Sequence, residues 1–263
     1  MKPTDLHACT VIDIHNHVWA KDGELDRDRA MSLLKAADCL GIDTVCVSLP
    51  LMTESPTPEE FRQANDMVFE ALEMSDTFRG FCFVNPGYAE ESVAELERCI
   101  VRHRMVGVKL YHQYRICDPA LRPVMDYAAE LGVPVLMHAA KLRDSANVAR
   151  QPRVSHAEHF LKAAHMFPNT TLIQAHIGGG GDWEWNLRVL EAMPASAKYF
   201  IDISGSVVDA GIIRKTVATL GADRVLFATD GIMEEGIGKL LEAGLSEEQL
   251  QHILSRNAER ILF

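Results

Sequence analysis

Long apolar runs are missing from this sequence of 263 residues. No stretch approaches the roughly twenty apolar residues that a helix needs to cross a bilayer. Residues 1–10 have neither the hydrophobic core of a secretion signal nor a basic amphipathic pattern. We therefore expect a cytoplasmic protein without a membrane partner.

Positive charge is also scarce in this chain. The 26 Lys and Arg residues are outnumbered by 37 Asp and Glu residues, which gives a formal net charge of -11. Binding to a phosphate backbone depends largely on clustered basic side chains. The charge balance therefore argues against a nucleic-acid partner and favours a small-molecule substrate.

Closely spaced cysteine pairs are absent, although the chain has six cysteines. No Cys-x-x-Cys motif occurs, which argues against a zinc knuckle and against a disulfide framework. Most of the cysteines lie in apolar runs, so we expect buried free thiols. They are Cys9, Cys39, Cys46, Cys82, Cys99 and Cys117.

Short runs rich in β-branched residues recur along the chain, and segments with helical periodicity separate them. This alternation predicts parallel strands joined by right-handed crossovers, and eight units in about 250 residues match a closed barrel. No Gly-x-Gly-x-x-Gly motif follows the first run, which weakens the alternative of an open dinucleotide-binding sheet. We therefore predict that residues 1–263 form a single α/β domain, a (β/α)8 TIM barrel. The eight runs are Thr10–His15, Thr44–Leu49, Gly80–Val84, Val106–Leu110, Pro134–His138, Thr171–His176, Tyr199–Ile203 and Arg224–Ala228.

Side chains that can bind a metal follow four of these runs. In a parallel barrel the carboxyl ends of the strands meet at one mouth, where active sites lie. The first run leads into His15 and His17, whose two-residue spacing puts both imidazoles on one face of a strand. His138, His176 and Asp230 follow the fifth, sixth and eighth runs. A single such histidine is more often structural, but the joint pattern favours a divalent metal ion, which nitrogen and carboxylate ligands suit.

In order and spacing these motifs resemble the amidohydrolase superfamily, in particular its amidohydrolase-related branch, which includes decarboxylases and hydratases of unsaturated acids. The resemblance covers nearly the whole chain and implies a metal-dependent hydrolase with zinc as the expected metal. It rests on Asp13-x-His15-x-His17, Gly107-Val108-Lys109-Leu110, His138, His176-Ile177-Gly178-Gly179, Thr229-Asp230 and Asn257-Ala258-Glu259-Arg260-Ile261-Leu262.

The resemblance also implies which side chains bind the metal. His15, His17 and Asp230 would hold the first ion. His138 would complete this site in a one-metal enzyme or begin a second site in a two-metal enzyme. Lys109, if carboxylated, would bridge two ions; the alternative is an ordinary neutral or paired lysine at the mouth.

The expected chemistry is activation of a metal-bound water, whose pKa a divalent ion lowers toward neutrality. Asp230 would take the proton of this water, and His176, either a ligand or free, would stabilise or protonate the developing oxyanion. The substrate would be a small amide, ester or lactone. A metal-dependent decarboxylase or hydratase needs the same ligands and remains an alternative, as does an inactive metal-binding barrel. The sequence leaves a homo-oligomer open.

The loop after the fifth run, residues 139–155, is locally basic in an acidic chain. It carries four basic residues against one Asp, and a positive rim attracts anions. We therefore predict an anionic substrate, although solvated surface charge is the ordinary alternative. The four basic residues are Lys141, Arg143, Arg150 and Arg153. The predicted substrate-binding residues are Tyr111, His112, Lys141 and Arg143.

Overall fold

The strands of this protein surround a single axis, as seen in a computed structural model that describes residues 9–142, 144–178, 181–205 and 207–263. Two short strands form an antiparallel hairpin, and the other eight are parallel to their neighbours. The strands are β1 (Ile12–His17), β2 (Ala20–Lys21), β3 (Glu24–Leu25), β4 (Thr44–Ser48), β5 (Phe78–Phe83), β6 (Gly107–Leu110), β7 (Val135–Met137), β8 (Leu172–Gln174), β9 (Tyr199–Asp202) and β10 (Val225–Leu226).

The parallel strands follow one another in chain order from β1 through β4 to β10. Backbone hydrogen bonds join the last segment to the first. Ile14 N donates to Phe227 O at 3.1 Å, and Asp230 N donates to His15 O at 2.8 Å. The predicted (β/α)8 barrel is therefore confirmed.

Helices cover the outside of the barrel, and glycines end two of them. Helices α1 and α4 end at Gly41 and Gly132, whose φ angles of 69° and 73° suit glycine. The helices are α1 (Arg27–Leu40), α2 (Pro58–Leu72), α3 (Ala89–Leu96), α4 (Arg122–Leu131), α5 (Ser145–Arg150), α6 (Ala157–Met166), α7 (Trp183–Leu190), α8 (Ile212–Leu220), α9 (Met233–Glu242), α10 (Glu247–Gln251) and α11 (Asn257–Leu262). No described helix is long and apolar enough to cross a membrane.

The closing segment blocks the end of the barrel opposite the mouth. Ala258 is buried in the apolar interior of the barrel, and Ile261 and Leu262 pack against the same cluster. Asn257 Nδ2 donates to Val225 O at 2.8 Å and so fixes α11 beneath the start of β10. The mouth at the carboxyl ends of the strands is therefore the open end of the barrel.

Candidate active site

Three predicted ligands meet at the mouth of the barrel. His17 Nε2 lies 3.0 Å from Asp230 Oδ1, and His15 Nε2 lies 3.6 Å from the same oxygen. The three ligand atoms lie within 4.8 Å of one another. Strand β1 supplies the two imidazoles, and the turn after β10 supplies the carboxylate.

The other nitrogen of each imidazole has a partner that fixes the ring. His15 Nδ1 donates to Asp202 Oδ2 at 2.9 Å. His17 Nδ1 lies 3.3 Å from Ser48 O and 3.2 Å from Ser48 Oγ. Such partners orient metal-binding histidines, because a ring held at Nδ1 directs its Nε2 to one point. Asp202 and Ser48 were not predicted from the sequence, although both end a strand at the mouth.

His176 lies beside the second carboxylate oxygen of Asp230, and His138 lies beside His176. His176 Nε2 is 3.7 Å from Asp230 Oδ2 and 3.3 Å from His138 Nδ1. His176 Nδ1 lies 2.8 Å from Ser204 Oγ, and Ser204 Oγ in turn donates to Asp202 Oδ1 at 2.6 Å. Because the serine proton is used by Asp202, Ser204 accepts the Nδ1 proton of His176, and His176 Nε2 faces the mouth.

The backbone is strained at two of these positions. His176 and Asp230 have φ angles of 66° and 50°, in the left-handed region that non-glycine residues rarely adopt. Each such conformation costs about 1–3 kcal/mol and persists only where surrounding contacts hold it. His176 N donates to Asp202 Oδ1 at 3.0 Å, and Asp230 N donates to His15 O at 2.8 Å. Both strained residues are those predicted to handle protons.

The protonation states of the ligands suit a cation. Burial lowers the pKa of His15 to about 4, with a further contribution from the charge of Lys109. Burial also lowers the pKa of His17 and holds that of His138 well below its ordinary value. Burial alone would raise the pKa of Asp230, but the neighbouring histidines keep it well below its usual range. Neutral imidazoles and an ionised carboxylate are the forms that bind a metal.

Lys109 is fully buried beside these ligands. Its Nζ lies 2.8 Å from His15 Nε2. Burial lowers the pKa of Lys109 to about 8, while the charges of Asp230 and Asp202 act in the opposite direction. Lys109 thus lies at the mouth, and its role as a bridging ligand or as an ordinary lysine stays a prediction.

Asp13 ties the first strand to the last turn. Its carboxylate accepts hydrogen bonds from His15 N at 3.2 Å and from Thr229 N at 3.1 Å. Asn16 Nδ2 donates to the same side chain at 3.1 Å. Burial raises the pKa of Asp13 to about 7, although these donors lower it. Asp13 thus holds β1 and the segment before Asp230 in register.

A cavity of about 350 Å³ opens above these side chains. Helix α5 forms one wall, and Gln151, directly after it, lies with Oε1 3.2 Å from His138 Nε2. The sequence predicted only a loop here. Asp144 begins the helix by accepting hydrogen bonds from Ala146 N and Asn147 N. The lining comprises His138, Ala140, Leu142, Asn147, Gln151, His176, Gly205, Thr229, Asp230, Ile232 and Glu235.

The predicted substrate-binding residues occupy different surroundings. The ring of Tyr111 lies 4.5 Å from that of His138, beside the candidate metal ligands. His112 lines a separate cavity of about 440 Å³, together with Arg150 and Arg153. Lys141 Nζ lies 3.8 Å from the centre of the Trp185 ring. Arg143, like Gly179 of the glycine motif, lies outside the described residues. A role in substrate binding stays a prediction for all four residues.

The closed ring of eight parallel strands defines a TIM-barrel protein, and the imidazoles and carboxylates at its mouth give it a candidate metal centre. The family model described as "Amidohydrolase" matches residues 12–263. The chain therefore belongs to this amidohydrolase family, as the motifs indicate.

Several solved structures are similar to this barrel. A dihydroxybenzoic acid decarboxylase from Polaromonas sp. JS666, with bound manganese and 2-nitroresorcinol, has a TM-score of 0.73 and 19% identity over 97% of each chain. A 5-carboxyvanillate decarboxylase from Sphingomonas paucimobilis has a TM-score of 0.72 and 16% identity over 96% of this chain and 98% of its own. A 4-oxalomesaconate hydratase from Rhodopseudomonas palustris has a TM-score of 0.68 and 18% identity, over 96% and 95%. Identities this low show the shared fold alone, and no curated protein matches the sequence.

Proposed function

We propose that this protein is a metal-dependent lyase that acts on a small carboxylic acid, as a decarboxylase or a hydratase. The observation that carries the proposal is the convergence of His15 Nε2, His17 Nε2 and Asp230 Oδ1 on one point at the mouth. The similar structures support lyase chemistry, because most of them are decarboxylases and one is a hydratase. This support favours the lyase over the hydrolysis of amides, esters or lactones that the motifs suggested first.

The donor set fits a divalent transition-metal ion. Two neutral imidazole nitrogens and one carboxylate oxygen suit manganese as well as zinc, and the decarboxylase from Polaromonas holds manganese. His138 Nδ1 lies 3.3 Å from His176 Nε2, close enough to this group for His138 to complete the ligand set while His176 stays free. An ion held by these residues would polarise the oxygens of a bound acid.

Asp230 and His176 are our candidates for proton transfer. Decarboxylation breaks a C–C bond and leaves a carbon that must gain a proton, whereas hydration adds a proton and a hydroxyl group across a double bond. The Nδ1–H group of His176 donates to Ser204 Oγ. Nε2 is therefore the nitrogen that takes up and returns a proton. Asp230 Oδ2 lies 3.7 Å from this nitrogen and stabilises the imidazolium form.

The cavity favours a small substrate. A volume of about 350 Å³ is near the lower end of the range for ligand pockets. Leu142 and Ile232 offer apolar contacts, and the side chains of Asn147 and Gln151 offer hydrogen bonds. This lining suits a single-ring or short-chain acid that carries hydroxyl or carbonyl groups.

The test is to assay the manganese-loaded protein for CO₂ release from a panel of hydroxylated benzoic acids, and for water addition to unsaturated diacids. We expect turnover that a chelator abolishes and that Asp230→Asn lowers by roughly 10²–10⁴-fold in kcat. Asp126→Asn, an exposed carboxylate on α4, is the matched control and should leave turnover unchanged. Turnover of esters or lactones alone would contradict the lyase proposal.

A hydrolase with two metal ions is the second candidate, and the position of Lys109 favours it. A carboxylated Lys109 would contact the ligand set directly, because its Nζ lies 2.8 Å from His15 Nε2. Metal analysis and crystallography of the loaded protein distinguish the two candidates. Two ions at the mouth with a carboxylated lysine would support the hydrolase, and one ion at the mouth with a free amine would support the lyase.

A further inference from the structure

A second group of metal-binding side chains lies outside the barrel wall, away from the mouth. Cys82 belongs to β5, Glu95 to α3, and Cys99 to the π-helical turn that continues α3. All three side chains are buried. Their two sulfur atoms and one carboxylate oxygen lie within 4.8 Å of one another.

Polar contacts hold these side chains in an otherwise apolar layer. Cys99 Sγ lies 3.3 Å from Glu95 Oε1, and Asn65 Nδ2 donates to that oxygen at 2.9 Å. Asn65 Nδ2 also lies 3.5 Å from Cys82 Sγ. The orientation of Asn65 is fixed, because its Oδ1 accepts a hydrogen bond from Phe83 N at 2.9 Å.

Arg98 balances the charge of this group. Its guanidinium donates to Glu95 Oε1 at 2.6 Å and to Oε2 at 2.8 Å. Burial alone would raise the pKa of Glu95, but Arg98 and Asn65 bring it below its ordinary value. Burial raises the pKa of Cys82 well above its ordinary value, so its thiol is protonated without a metal.

A divalent ion would leave the buried net charge unchanged. Without the ion, the Glu95 carboxylate is paired with Arg98, which also pairs with the exposed Asp66. The Cys99 thiol donates its proton to Glu95 Oε1 in a hydrogen bond. With the ion, each thiol loses its proton to solvent as a bond forms between sulfur and metal. The two negative charges of the thiolates then balance the two positive charges of the ion. Burying an unbalanced charge is costly, and this exchange avoids that cost.

One member of the group faces a surface cavity. This cavity of about 380 Å³ lies between α2 and α3, and Glu95 and Arg98 form part of its wall. An ion that enters the cavity therefore meets Glu95, the ligand that contacts Cys99.

We propose that Cys82, Cys99 and Glu95 form a second metal site, specific for a thiophilic divalent ion of the zinc and cadmium class. Two thiolates and a carboxylate are typical zinc ligands, whereas manganese and magnesium prefer oxygen. The site differs from the mouth in ligand class, because the candidate ligands there are imidazoles and carboxylates. The proposal is independent of the lyase activity.

The test is a titration with Cd²⁺ followed by the ultraviolet charge-transfer absorption of cadmium thiolate. The reference protein carries Cys9→Ser, Cys39→Ser and Cys117→Ser, which removes the thiols that are not fully buried. We expect the absorption to saturate at one ion per chain and to be displaced by Zn²⁺. Adding Cys82→Ser or Cys99→Ser should abolish it. Cys46→Ala, which removes the buried thiol of the barrel interior, is the matched control and should preserve it.

Absence of the absorption in the reference protein would overturn the proposal, as would its persistence in Cys82→Ser. A disulfide between Cys82 and Cys99 in the unreduced protein would overturn it as well. Glu95→Gln keeps both thiols and covers the case in which the serine variants fail to fold. We expect this variant to weaken cadmium binding by roughly 10-fold or more, and unchanged affinity would contradict a site of three ligands.

Discussion

Asp202 connects the two halves of the candidate active site. One oxygen accepts the Nδ1 proton of His15 at 2.9 Å, and the other accepts hydrogen bonds from His176 N at 3.0 Å and Ser204 Oγ at 2.6 Å. Burial alone would raise its pKa, but His15 and these donors hold the pKa well below its ordinary value. A single ionised side chain therefore orients a proposed ligand and a proposed proton carrier.

Asp202→Asn should weaken metal binding. The amide cannot match the charged acceptor on His15, and we expect a loss of roughly 10–100-fold in manganese affinity. Competition with a chromogenic chelator measures this loss. Asp209→Asn is the control, because Asp209 accepts from Trp183 Nε1 at 2.7 Å, away from the ligands. Unchanged affinity in Asp202→Asn would show that this contact does not orient the ligand.

At the scale of residues, the sequence predicts the candidate metal ligands better than the side chains that hydrogen-bond to them. His15, His17 and Asp230 could be predicted because strand spacing and strand ends determine where they lie. Asp202 also ends a strand at the mouth, but an aspartate after an apolar run has many roles. The role of Asp202 depends on its hydrogen bond with His15, which lies 187 positions away in the sequence, and no local pattern encodes such a contact.

Among the elements, the loop after β9 and helix α9 together support His176. Lys239 of α9 is buried, and its Nζ donates to Ile203 O at 3.3 Å and to Gly205 O. Glu235 Oε1 accepts from the same ammonium at 2.6 Å. The helix thus holds Gly205 against the imidazole of His176.

Gly205→Ala should impair catalysis through this contact. Gly205 has a φ of +96°, and an added Cβ would lie 2.9 Å from His176 Nδ1, so the imidazole must move. A displacement of about 1 Å costs on the order of 100-fold in rate, so we expect a loss of this size in kcat.

Steady-state kinetics of Gly205→Ala and of a matched variant separate the contact from backbone strain. Gly244→Ala is the match, because φ there is +62° and nothing lies within 4 Å of the added Cβ. The Gly244→Ala protein should be less stable than the parent but have the same kcat. Equal losses of kcat in the two variants would show that strain, and not the His176 contact, is responsible.

The elements themselves were largely predictable. The runs rich in β-branched residues located all eight barrel strands. Some elements that were not located are short: α5 has six residues, and the hairpin strands β2 and β3 have two residues each. Segments this short carry too few residues for a period to be recognised, and tertiary contacts decide their conformation. The closing segment of the chain is not one continuous α-helix, because a π-helical turn at His252–Arg256 separates α10 from α11.

For the whole molecule, buried neutral histidines make stability depend on pH. The ordinary pKa of a histidine is 6.5, and burial lowers it in several histidines of this chain. The pKa falls to about 4 for His15 and His156 and to about 3 for His159. The unfolded chain therefore binds more protons than the folded chain below pH 6.5. The histidines with a lowered pKa are His15, His17, His112, His138, His156 and His159.

We expect the free energy of unfolding of the metal-free protein to fall as the pH decreases from about 6.5 to about 4. Asp13 acts in the opposite direction, because its folded pKa of about 7 lies above its ordinary 3.8. Urea unfolding across this pH range measures the slope. His159→Gln should reduce the slope, whereas His165→Gln, at an exposed position on the same helix, should not. A flat profile would contradict neutral burial of these imidazoles.

The hydrogen bond from Asp230 N to His15 O joins the last segment of the barrel to its first strand. The proposed ligands come from both of these segments. During synthesis the two imidazoles of β1 emerge early, but their carboxylate partner follows more than two hundred residues later. A partly made chain or a half-barrel fragment therefore lacks the complete ligand set. If the proposed ligands bind one ion together, the ion can be captured only after the barrel has closed.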